Sequence, residues 1–129
     1  MGRRLIVLDA SALLAVFRNE RGADIVTAAL SESEMSSVNV AEVLSKIVER
    51  GGDEKAALRD IRAMGIEIIP YDEQQALKTA ELRRVTSSKG LSLGDRACLA
   101  LAASRNCAAM TAERQWKGLA HGVQIALVR

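Results

Sequence analysis

The sequence predicts an α/β domain with a mostly parallel central sheet and helices on both faces. Three observations lead there. Short aliphatic runs alternate with helical patterns along the whole chain. The first run, "LIVL" at 5–8, is apolar at every position, as expected of a strand buried on both sides. The last long helical pattern, "SLGDRACLALAASRN", is apolar on almost every side, so it belongs in a covered, central position. With 129 residues and no linker, internal repeat or low-complexity tract, the chain reads as one domain, 1–129.

In order, "RLIVLD" is the first strand, and "ASALLAVFRN" and "GADIVTAALSES" are two helices. "EMSSV" is a weak strand. "NVAEVLSKIVERGG" is a helix whose Val40, Val43, Leu44, Ile47 and Val48 fall on one face, with Gly51 and Gly52 ending it. "DEKAALRDIRAMG" carries acids in its first turn and Gly65 after its last. "IEIIPY" is a strand, "DEQQALKTAELRRVTSSKG" a long polar-faced helix, and "AAMT" and "VQIALV" are the closing strands, with a short helix around Trp116 between them.

Composition narrows the function. Phe17, Tyr71 and Trp116 are the aromatic residues, too few for nucleic-acid binding by base stacking, and Trp116 reads as a packing residue. A net charge of +2 does not mark a strongly basic nucleic-acid or membrane binder; pairs such as Arg3–Arg4 and Arg83–Arg84 read as solvated surface charge. Cys98 and Cys107 are too few for a disulfide scaffold and read as thiols in a reducing compartment, and His121 stands alone rather than in a zinc pattern. No apolar stretch reaches the ~18 residues of a membrane span, and Asp9 interrupts the leader-like start, so the expected location is cytoplasmic, with no membrane partner.

Asp9 raises the functional question, because an unpaired charge at the end of a buried strand is costly. In an open α/β sheet, ligands bind beyond the carboxyl ends of the strands. Asp9 is at such an end, Glu42 and Asp95 are placed in the first turns of the helices that follow, and Glu113 follows "AAMT". Each acid also has a capping explanation: Asn39–Glu42 and Ser92–Asp95 have nearly capping-box spacing. At about 100° per residue, however, Glu42 lies opposite the apolar stripe of its own helix, and Arg96 points away from Asp95. If the four acids meet, they repel unless a cation joins them. The natural cation is a hard divalent ion, Mg²⁺ or Mn²⁺, and such a cluster suits phosphodiester cleavage by metal-activated water. Ser11 and Thr111 either orient a carboxylate or water, or serve ordinary turn and cap roles.

The motif order "LIVLDASALLAV", "VNVAEVLSKI", "LSLGDRACLALA" and "MTAERQW" resembles the PIN-domain ribonucleases, most closely the VapC toxins of bacterial toxin–antitoxin pairs. The resemblance covers almost the whole chain, and "LSLGDRACLALA" is its most specific piece. It implies a single PIN-like domain, a metal-dependent endoribonuclease, and Asp9, Glu42 and Asp95 as catalytic metal ligands. The fourth acid of the family is usually an aspartate in a T-x-D pattern; here Thr111-Ala112-Glu113 keeps the charge on a longer arm. Glu113 therefore binds metal through water, shifts preference towards Mn²⁺, or contributes little. The resemblance also implies a cognate VapB-type antitoxin, a tRNA or rRNA substrate and a homodimer. For RNA contact, Lys46 and Arg114 are the candidates, with Arg50 and Arg96 near the motifs; Lys46 equally fits an intrahelical pair with Glu42.

Other classes fit less well. A haloacid-dehalogenase-like phosphatase needs an acid where Ser11 stands, a receiver domain needs an early acidic pair, and no phosphate-binding glycine loop is present. The alternative that survives is a catalytically degenerate PIN domain that binds RNA or a protein partner without cleavage.

Overall fold

In a computed structural model, which describes residues 5–119 and 121–129, five short strands form one sheet. They are β1 (Ile6–Leu8), β2 (Ser33–Ser36), β3 (Glu67–Ile69), β4 (Ala108–Thr111) and β5 (Ile125–Leu127). Every pairing is parallel, in the order β3-β2-β1-β4-β5. The Arg3–Arg4 pair lies outside the described residues.

Alternation along the strands sends side chains to two separate cores. Val7 and Ala109 pack with α5 (Glu73–Thr86) and α6 (Leu93–Arg105). Leu8, Met35 and Met110 pack with α1 (Ala10–Phe17), α2 (Ala23–Ala29), α3 (Ser37–Glu49) and α4 (Glu54–Ala63). The interior is aliphatic, each fully buried Leu or Ile stabilising the fold by ~1.5–3 kcal/mol. Trp116 is its one large ring, fully buried in the α6 core. Among the described residues, no helix is long and apolar enough to cross a membrane.

The strand order has a consequence for function. From β1 the chain steps outward to β2 and β3, then returns to lay β4 and β5 on the other side of β1. The connections leaving β1 and β4 therefore diverge, and a crevice opens at their carboxyl ends. Asp9 and Thr111 stand at those two ends.

Several boundaries differ from the sequence reading. The second helix stops at Ala29 and continues as a 3₁₀ turn, Leu30–Glu32, because Ser33 is needed to pair with Ile6 in the sheet. Strand β2 ends at Ser36, whose hydroxyl caps α3 by accepting from the amide of Val38 at 3.2 Å. Helix α3 thus starts before Asn39, which excludes Asn39 as its cap and moves Glu42 into the second turn. Val48, expected in the core, is 48% exposed, since the neighbouring α4 covers only part of the stripe. Helix α5 ends at Thr86, followed by a 3₁₀ turn and Gly90 in the left-handed region.

Glu34 is a charged residue that the strand pattern did not single out. Its side chain is 7% exposed and accepts a 2.7 Å hydrogen bond from Nε of Arg105, at the end of α6. Replacing Arg105 with alanine strands that carboxylate in the interior. We expect a loss of about 2–4 kcal/mol in urea unfolding, below the full cost of a broken buried pair because the guanidinium is 39% exposed. Replacing both partners with leucine restores most of it.

Candidate active site

The four acids singled out in the sequence line one small concavity of about 170 Å³ at the carboxyl edge of the sheet. Ser11 and Lys46 line it too, and Lys46 is the sole cation among its lining residues.

Asp9 is its buried floor, 3% exposed. Its backbone ends β1 and caps α1, the amide donating to the carbonyl of Met110 at 2.9 Å. Its Oδ2 receives the hydroxyls of Ser11 at 2.6 Å and Thr111 at 3.0 Å. These hydroxyls are themselves aimed: Ser11 Oγ accepts from the amide of Ala112 and Thr111 Oγ1 from that of Glu113, both at 3.0 Å. Each hydroxyl thus donates to Asp9 while accepting from the backbone of the turn after β4.

Glu42 and Asp95 are brought in by two helices meeting over this floor. Glu42 Oε1 accepts from Nδ2 of Asn39 at 2.8 Å, and the same nitrogen donates to the carbonyl of Gly94 at 2.9 Å. Asp95 Oδ2 accepts from the amide of Ser92 at 2.9 Å while Ser92 Oγ accepts from the amide of Asp95, so the capping box is real. Capping uses one carboxylate oxygen. Among the described residues, Asp9 Oδ1, Glu42 Oε2 and Asp95 Oδ1 receive no hydrogen bond. Glu113 precedes a 3₁₀ turn, Arg114–Trp116, and its carboxylate likewise has no partner among them.

The electrostatics follow from this crowding. Burial pushes the Asp9 carboxyl up to about 6, opposed by the Ser11 hydroxyl, reinforced by the Asp95 charge, opposed by Thr111 and reinforced by Glu42. Glu42 is also raised, first by burial; Asn39 opposes this, Asp95 adds to it and Lys46 opposes it. Asp9 and Glu42, both raised first by burial, are the kind of carboxylates whose ionised form a bound cation stabilises. The donor set, all carboxylate oxygen, is of the kind that hard divalent ions take. Among the described residues, however, no three Asp, Glu, His or Cys side chains converge closely enough to clasp an ion as they stand.

The basic residues separate. Lys46 lines the concavity, but its ion pair is with Glu49 at 3.7 Å rather than with Glu42. Arg96 donates to the carbonyls of Leu91 and Thr79, away from the acids. Arg114 is exposed and Arg50 lines a neighbouring groove; neither lines the acidic concavity. His121 is tied at both ring nitrogens, to the carbonyl of Trp116 and the amide of Val123. Cys98 is buried, with its thiol pushed up by burial. Asn39 and Gly94 were missed as site residues. The signal was present in Asn39, an amide on the same helix face as Glu42, but a cap explained it equally well.

The PIN domain matches residues 6–122 of the chain. The chain belongs to the PIN-domain family. Solved structures agree on the fold. A toxin–antitoxin complex from Klebsiella pneumoniae superposes with a TM-score of 0.76 at 18% identity, covering 96% of this chain and 98% of that one. A DNA-bound VapBC from Salmonella typhimurium gives 0.76 at 20% identity, covering 98% and 99%. VapC20 of Mycobacterium tuberculosis, a Sarcin-Ricin loop cleaving toxin, gives 0.69 at 12% identity, covering 90% and 97%. Among curated proteins, none matches this PIN domain.

Proposed function

We propose that this PIN domain is a metal-dependent endoribonuclease, the VapC-type toxin of a toxin–antitoxin pair, acting on tRNA or rRNA in the cytoplasm. The observation that carries the reading is the acidic concavity at the point where the strand order reverses, with three of its carboxylates each holding one oxygen fixed and one free. Asp9, Glu42 and Asp95 would hold Mg²⁺ or Mn²⁺, and Glu113 would assist on its longer arm. When bound, the ion supplies an activated water and neutralises charge on the phosphate. The chain's own residues do the rest. Ser11 and Thr111 hold Asp9 in one rotamer. Lys46, at the rim, attracts the phosphate that the acids alone would repel.

The toxin–antitoxin assembly of the solved neighbours supports a VapB-type partner here. A groove of about 500 Å³ adjoins the acidic concavity and shares Leu14 and Lys46 with it. Its Phe17, Ile47 and Ala57 offer an apolar bed for an amphipathic segment of such a partner, and its lining carries both signs of charge, in Arg18, Arg50, Asp53 and Asp60.

One observation favours a second reading, binding without cleavage: the acids do not converge as they stand. Incubating purified protein with total tRNA and rRNA in Mg²⁺, Mn²⁺ or EDTA separates the two. The nuclease reading predicts discrete fragments that require metal. No cleavage by folded, antitoxin-free protein in either metal would leave the binding-only reading.

A further inference from the structure

We infer that Asn39 is a positioning residue that holds Glu42 in place for the metal and locks the helix bearing Glu42 to the helix bearing Asp95. The inference rests on the nuclease reading and adds a residue to its machinery.

Asn39 is fully buried in α3, where a polar amide carries a cost unless its bonds are specific. Both acceptors of its Nδ2 bear on the site. One is Glu42 Oε1, three residues on; the other is the carbonyl of Gly94, the residue before Asp95 in α6. A single nitrogen thus fixes a rotamer within one helix and a contact between two. Its orientation is settled by these acceptors, because turning the amide over would set an oxygen against two oxygens.

The price of that orientation is visible. Asn39 Oδ1 is buried with no partner. Leaving a buried acceptor unpaired is unfavourable, so a purely structural side chain at this position would be better apolar. Gly94 completes the arrangement, since a Cβ there would collide with the Glu42 carboxylate. The carboxylate therefore lies against bare backbone on one side and is gripped by Asn39 on the other, with Oε2 left open.

The test uses the full chain and Mn²⁺ as probe. Asn39→Ala removes the grip, and Asn39→Leu fills the same space without a donor, which keeps a folded variant available. Mn²⁺ affinity is measured without RNA, by calorimetry, in wild type, Asn39→Leu, Glu42→Gln and the double variant. We expect Asn39→Leu to weaken Mn²⁺ binding by about tenfold or more, as loss of a ligand-orienting group does. The same change should have little further effect once Glu42 is glutamine, and in cleavage assays it should lower kcat while leaving KM near wild type. Wild-type Mn²⁺ affinity in a folded Asn39→Leu protein would overturn the inference and leave the nuclease reading intact. Equal weakening with and without Glu42 would overturn it too, marking a general distortion. Failure of the wild type itself to bind Mn²⁺ would overturn both.

Discussion

Asp9→Asn yields a protein that no longer cleaves RNA yet is more stable than wild type above pH 6 when metal is removed with EDTA. Asp9 is 3% exposed and its carboxyl is raised from 3.8 to about 6 by burial, so the folded state prefers it protonated. Between these values the folded protein binds more protons than the unfolded chain, and stability falls as pH rises. The penalty is absent below about 3.8, grows through the window and is complete above about 6, where it reaches about 3 kcal/mol. Asparagine keeps an oxygen for the Ser11 and Thr111 hydroxyls but cannot ionise. Urea unfolding from pH 4 to pH 8 in EDTA should show wild type losing stability while Asp9→Asn stays nearly level. Parallel curves for the two proteins would mean that Asp9 is not the strained group.

Gly94→Ala has the second large effect, and it separates function from stability. Alanine is the better helix former by about 1 kcal/mol, so α6 itself gains. The added Cβ, however, meets the Glu42 carboxylate directly. Glu42 must leave the hydrogen bond of 2.8 Å from Asn39 and turn out of its present place. We expect cleavage to fall by about 10–100-fold, the range seen when a ligand loses its orienting contacts. The melting temperature should change by no more than a few degrees. Wild-type cleavage by a folded Gly94→Ala protein would show that the placement of Glu42 is unimportant.

Much of this was legible in the sequence, for identifiable reasons. A run apolar at every position, as at 5–8, is distinctive of a strand covered on both sides, and β1 lies where it was expected. Asp9 and Glu113 follow the carboxyl ends of β1 and β4, where the alternating pattern puts them, and they line one concavity with Glu42 and Asp95, which two helices carry in. Contacts that depend on two helices meeting were not legible. Asn39 looked like a cap because local spacing permits one, whereas its second partner, Gly94, is 55 residues away. Glu34 looked like part of a weak strand because Arg105, its partner, is 71 residues away. Lys46 had two acids within a helical turn, Glu42 before it and Glu49 after, and spacing does not choose between them.

Sharing of one ion by Asp9 at the end of β1, Glu42 in the second turn of α3 and Asp95 in the first turn of α6 is the central feature of the proposed site. A crystal of the protein soaked in Mn²⁺ and measured at the manganese absorption edge tests this directly. An anomalous peak is expected in the concavity, against the oxygens of Asp9, Glu42 and Asp95 that now receive no hydrogen bond. A fully soaked crystal with no peak between these three carboxylates would contradict a shared ion.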